Sequence, residues 1–124
     1  MTNKQPKRRP RPGVDEYGRT PLHYAVIERN LAAVKDLLAA GGDPSVCDDD
    51  GWTPLHFAAQ EYAPDICAAL LSAGAPVDVR DSQGNTPLFR AVFDSRGRGE
   101  VIRVLRAHGA SPTLANARGS HLPF

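Results

Sequence analysis

Sulfur is scarce in this 124-residue chain, which has one methionine and two cysteines, Cys47 and Cys67. Two cysteines without metal-ligand spacing exclude a disulfide scaffold and a thiolate zinc site, and they read as reduced thiols. No apolar run approaches the roughly 18 residues of a membrane-spanning helix, and no secretory apolar region follows the basic start. The expected location is therefore the cytoplasm. No glycine loop that would cradle a phosphate precedes a helix, and no serine or cysteine has a base at a spacing that would activate it. The sequence nominates no catalytic residue, no metal ligand and no cofactor. Long-range pairing signals of a compact globule are also missing, although 41% apolar and 23% charged residues place the chain among folded proteins.

What the chain does have is a period. Thr20, Thr53 and Thr86 stand 33 residues apart, each opens a Thr-Pro-Leu, and each follows a glycine two positions earlier, at Gly18, Gly51 and Gly84. A fixed period of this length marks a solenoid, in which each unit buries its apolar face only against its neighbours. Within a unit the local signals are consistent. Thr20 suits a helix N-cap and Pro21 suits the first helical turn, where its missing N–H is no loss. Leu22, Ala25 and Val26 then fall on one helix face. Glu28-Arg29-Asn30 interrupts the pattern, and Leu31, Val34, Leu37 and Leu38 resume it on a second helix that stops at Gly41-Gly42. Thr53 to Gly74 repeats the design, its second helix opening at Pro64. The expected fold is an all-α repeat solenoid of helix–turn–helix units.

Asp15 to Ala25 with Leu37 to Gly42, and Asp48 to Ala58 with Leu70 to Ala75, resemble the ankyrin repeat family, whose pattern is Asp-x-x-Gly-x-Thr-Pro-Leu-His-x-Ala followed by Leu-Leu-x-x-Gly-Ala. Asp81 to Ala91 is similar but less faithful. The resemblance implies L-shaped units joined by β-hairpin-like fingers, a concave face of fingers and first helices, structural roles for His23 and His56, and recognition of protein partners without catalysis. It divides the chain into a basic flexible tail, 1–12, and a repeat domain, 13–124, with repeats at about 15–47, 48–80 and 81–115 and a partial fourth at 116–124.

Repeat three departs from the pattern. Phe89 replaces the histidine, and Arg90 stands where the other units have Tyr24 and Phe57. Thr86 to Leu105 spans 19 residues where Thr20 to Leu37 spans 17, which places two extra residues within the glycine-rich, basic stretch Asp94 to Glu100. The fourth repeat offers Ser120-His121-Leu122-Pro123-Phe124 instead of Thr-Pro-Leu-His. Val101, Ile102, Val104 and Leu105 would then lack a full successor, with Leu114 and the tail 122–124 as partial cover. The C-terminal end is expected to be the least stable unit, open to weak self-association between otherwise monomeric chains.

A net charge of +1 conceals an uneven distribution. Residues 1–12 carry five basic residues and no acid. Residues 13–79 carry three basic residues against eleven acids, a net of −8, and residues 80–124 carry seven against three, a net of +4. Such a solenoid is an electrical dipole, and its acidic part fits a partner with a basic patch. Asp48-Asp49-Asp50 lacks the spacing and distal glutamate of a calcium loop and reads as solvated acid plus a structural Asp48.

By analogy with the positions that vary in the family, the expected partner-facing residues are Glu16, Tyr17, Arg19, Ile27 and Glu28 in repeat one. In repeat two they are Asp49, Asp50, Trp52, Gln60 and Glu61, and in repeat three Ser82, Gln83, Asn85, Phe93 and Asp94. Aromatics ringed by charge have the composition of interface hot spots. The expected function is binding of one protein, so as to inhibit, sequester or adapt it; small bacterial ankyrin proteins of similar composition suggest, by analogy alone, an immunity role against a toxin. The rival is association with nucleic acid through residues 4–11 and the basic third repeat, with phosphate attraction but no base readout.

Overall fold

The computed structural model describes residues 13–94 and 99–111, without the side chains of residues 93 and 94. The tail 1–12, the insert residues 95–98, and Leu114 with the partial fourth repeat lie outside the described residues. Six helices occur among the described residues: α1 Pro21–Ile27, α2 Leu31–Ala39, α3 Pro54–Gln60, α4 Pro64–Ser72, α5 Pro87–Asp94 and α6 Glu100–Ala107. Each unit pairs its two helices (α1 with α2, α3 with α4, α5 with α6), and successive units stack first helix on first helix and second on second. This is the all-α solenoid that the period predicts.

The helix starts follow from the Thr-Pro-Leu-His run. Thr20 and Thr53 accept the backbone N–H of His23 and His56, while each histidine reaches back to the threonine N–H, a reciprocal capping box. Second helices end in a repeated left-handed turn. Gly41, Gly74 and Gly109 have φ of 95°, 91° and 95°. The following amide in each case bonds back to Leu37, Leu70 or Leu105 at 2.8 to 3.0 Å. Two hydrogen bonds of this kind close a helix around a residue without Cβ repulsion. First helices close in the same way, but on Arg29 and Tyr62, non-glycine residues at φ 57° and 52°.

The core lies between the two helical layers. Leu22, Val26, Leu55, Ala58, Ala59, Leu88 and Ala91 from the first helices meet Val34, Ile66, Cys67, Leu70, Val101 and Leu105 from the second. Buried alanines at 25, 58 and 91 keep the stacked first helices close. In the last unit Val101 and Leu105 are buried, and Ile102 and Val104 are half-buried.

Candidate functional site

The fingers are the turns that precede each first helix, and one aspartate builds each of them. Asp15 Oδ1 accepts the amides of Tyr17 and Arg19, Asp48 Oδ1 those of Asp50 and Trp52, and Asp81 Oδ1 those of Gln83 and Asn85, all at 2.9 Å. The backbone closes the same loop from the other side. The Asp15, Asp48 and Asp81 amides donate to the carbonyls of Arg19, Trp52 and Asn85. No strand is formed among the described residues, but the bonding is that of a tight hairpin turn with a left-handed glycine. Gly51, at φ 78°, also lies where the next finger passes: a Cβ there would sit 2.8 Å from the Ser82 nitrogen. Neighbouring fingers are tied by Asp49 N–H to the Tyr17 carbonyl and by Ser82 N–H to the Asp50 carbonyl.

Histidines lock the fingers to the helices. His23 Nδ1 accepts the Thr20 amide at 3.0 Å, so its proton sits on Nε2, which donates to the Trp52 carbonyl of the next finger at 2.9 Å. His56 does the same between Thr53 and Asn85. Burial pushes the pKa of both rings down, because the charged imidazolium would lose its hydration there. These are the structural histidines that the family resemblance implies. Phe89 in repeat three keeps the threonine cap through its own amide but has no ring nitrogen to offer.

The second oxygen of each finger aspartate faces the first helices, and a different partner meets it in each unit. Asp15 Oδ2 accepts the Tyr24 hydroxyl. Burial alone would raise the Asp15 pKa, but the bonds from Tyr24 and from the Arg19 and Tyr17 amides hold it below the usual carboxylate value. Phe57, at the equivalent place in repeat two, has no hydroxyl, and Arg19 reaches across from repeat one to bond Asp48 Oδ2 through Nε at 3.3 Å. In repeat three Arg90 takes that place and pairs with Asp81 Oδ2 at 3.8 Å.

These side chains form one ribbon along the seam between fingers and first helices. The Arg19 guanidinium lies 5.5 Å from the Tyr17 ring, 5.8 Å from Tyr24 and 5.3 Å from Phe57. Phe57 packs 4.8 Å from Trp52, and Trp52 lies under the Arg90 guanidinium at 4.9 Å. Cation and aromatic exchange places between the two inter-repeat junctions: arginine on the finger and phenylalanine on the helix at the first, tryptophan on the finger and arginine on the helix at the second.

The residues expected to face a partner divide accordingly. Glu16, Asp50, Ser82 and Gln83 are exposed at the finger tips, and Tyr17, at 47% exposure, is the one exposed large hydrophobic residue among those described. Asp49 is half-buried between two fingers. Ile27 and Glu28 share the helix face of Tyr24, and Gln60 and Glu61 that of Phe57, by their three- and four-residue spacing. Ile27 is half-buried against the core, Glu28 and Gln60 are exposed, and Glu61 is half-buried. Arg19 and Trp52 are half-buried within the ribbon. Asn85, expected at the surface, is instead 8% exposed at the finger base, because its amide and carbonyl close the turn. The side chains of Phe93 and Asp94 lie outside the described residues.

No group of three or more His, Cys, Asp or Glu among the described residues is placed to hold a metal ion, and no helix among them is long and apolar enough to cross a membrane. Burial pushes the Cys67 thiol up to about 12. Burial beside the Asp48 charge also raises that of exposed Cys47, so neither is an activated nucleophile.

A search of the curated proteins finds no match to the chain. A family model, ankyrin repeats in three copies, matches residues 28–116, well over half of the sequence. Finger, capping box and helix pair recur with the same bonds from Asp15 onward, ahead of that match. The chain belongs to the ankyrin repeat family, whose members are in general non-enzymatic protein-interaction modules.

Proposed function

We propose that this protein binds one protein partner along the finger tips and the aromatic–arginine ribbon, and acts by occupancy, inhibiting, sequestering or adapting what it holds. One observation carries the reading. Tyr17, the exposed aromatic, is stacked on a held arginine, follows the exposed Glu16 and is tied through its carbonyl to Asp49 of the next acidic finger. An anchored aromatic inside a charged rim is how interface hot spots are built, because the ring is already immobilised and loses little entropy on docking. The acidic rim selects a partner with a basic patch and accelerates encounter with it.

Tyr17→Ala tests this. Tyr17 is outside the core, so the variant should keep its unfolding midpoint while partner affinity falls by about 2 kcal/mol. Trp52→Ala should lose both affinity and stability, since Trp52 also packs on Phe57 and His56. Association should slow as salt rises, with dissociation changing less. Unchanged affinity of Tyr17→Ala, or an association rate flat with salt, would overturn the reading. So would retention on DNA in place of any protein.

A further inference from the structure

The two arginine seats in the ribbon are not equally filled. Arg19 holds Asp48 Oδ2 by a hydrogen bond from Nε and touches three aromatic rings. Arg90 approaches Asp81 Oδ2 only to 3.8 Å, beyond hydrogen-bond reach, and among the described rings its guanidinium stacks on Trp52 alone. Asp81 Oδ2 and Arg90 Nε are both buried without a hydrogen-bond partner among the described residues, as is Asn85 Oδ1 on the same finger. Asp81 and Asn85 are more than nine-tenths buried, while the Arg90 side chain is 30% exposed. The seat thus consists of a buried carboxylate oxygen without a donor beside an indole ring, and a partly exposed cation only partly satisfies it.

We propose that Arg90 is the chain's own occupant of a cation site formed by Asp81 and Trp52, and that an arginine side chain of the bound protein displaces it. This rests on the reading of the finger face as the docking surface. The chemistry selects guanidinium. A buried carboxylate oxygen needs a charged donor, and the planar guanidinium donates to it while stacking on an indole face. Arg90 loses little on leaving, since it makes no hydrogen bond to Asp81 and its Nε has no partner among the described residues. Arg19, bonded and caged, stays in place, so the third unit supplies the exchangeable site and the second the fixed one. The predicted basic patch on the partner accordingly contains an arginine that reaches the third finger.

Trp52 is the chain's single tryptophan and reports on this site directly. The test titrates the full chain at low salt with acetyl-Gly-Arg-Gly-amide, and with the same peptide carrying citrulline, the neutral isostere. The arginine peptide should produce a saturable change in Trp52 emission and the citrulline peptide none. Arg90→Gln, which empties the seat but keeps a side chain over the ring, should bind the arginine peptide at least fivefold more tightly. Asp81→Asn, which retains the oxygen that ties the finger and removes the charge, should weaken it at least tenfold. Equal response to the two peptides, or an Arg90→Gln variant no tighter than wild type, would refute the exchange. Neither result bears on the Tyr17→Ala comparison, so this site and the docking face fail separately.

Discussion

Replacing His56 by phenylalanine, the residue that repeat three itself carries at this place, measures how much the inter-repeat histidine lock contributes. The ring fits the pocket that Phe89 occupies in the next unit, so the change isolates hydrogen bonding from volume. Two backbone groups lose a partner. The Thr53 N–H, within a fully buried residue, is left with no acceptor, a loss of about 1–3 kcal/mol. The Asn85 carbonyl keeps the bond from the Asp81 amide, so the missing Nε2–H removes only a second bond, about 1 kcal/mol. The sum is about 2–4 kcal/mol, a large share of the roughly 5–15 kcal/mol that holds a small domain together. The same change at His23 should be milder, since Thr20 is only half-buried and water can serve its amide. Urea unfolding followed by far-UV circular dichroism reads both variants. A His56→Phe chain as stable as wild type, or a larger loss at His23, would show that these hydrogen bonds do not hold the units together.

Three further outcomes follow from the same structure. Both histidine pKa values are depressed by burial from about 6.5, so the unfolded chain takes up protons that the folded chain refuses. Stability should be flat above about pH 7.5 and fall as pH drops through 6.5, by up to about 2.7 kcal/mol per unit for two sites; a urea midpoint unchanged between pH 7.5 and 5.5 would exclude this. Arg29 is exposed and strained at φ 57°. Arg29→Gly should therefore stabilise by about 0.5–1 kcal/mol, whereas Tyr62→Gly at the same strained place should destabilise, because Tyr62 is buried. An alkylating reagent should modify one thiol in the native chain and two in urea, since Cys47 is exposed and Cys67 is buried with its pKa near 12; rapid native labelling of Cys67 would show that the second-helix layer opens.

The framework of this fold is legible in the sequence because it is local. Threonine, proline and glycine specify where each helix starts and stops within a few residues, and the 33-residue spacing says how units stack. The ribbon is harder to read. Arg19, Phe57, Trp52 and Arg90 come from different units, and only stacking brings them together. The sequence does hold a trace of it: arginine and aromatic swap finger and helix places from one junction to the next, a compensation visible once the units are aligned. Asn85 is buried rather than partner-facing for a related reason. Finger residues read as surface, yet the residue that closes the turn sits under it with both backbone groups engaged. The left-handed residues after the first helices carry no glycine signal, since arginine and tyrosine stand there.

If the finger face, and not the back of the solenoid, holds a protein, one comparison separates the two. Affinity capture from the native host should compare three baits by quantitative mass spectrometry. These are the wild-type chain, a finger variant with Tyr17→Ala and Asp50→Asn, and a variant of the α2–α4 groove on the opposite layer with Lys35→Ala and Asp65→Asn. One protein should be retained by the wild-type and groove baits and lost from the finger bait. A partner that leaves the groove bait and stays on the finger bait would contradict it.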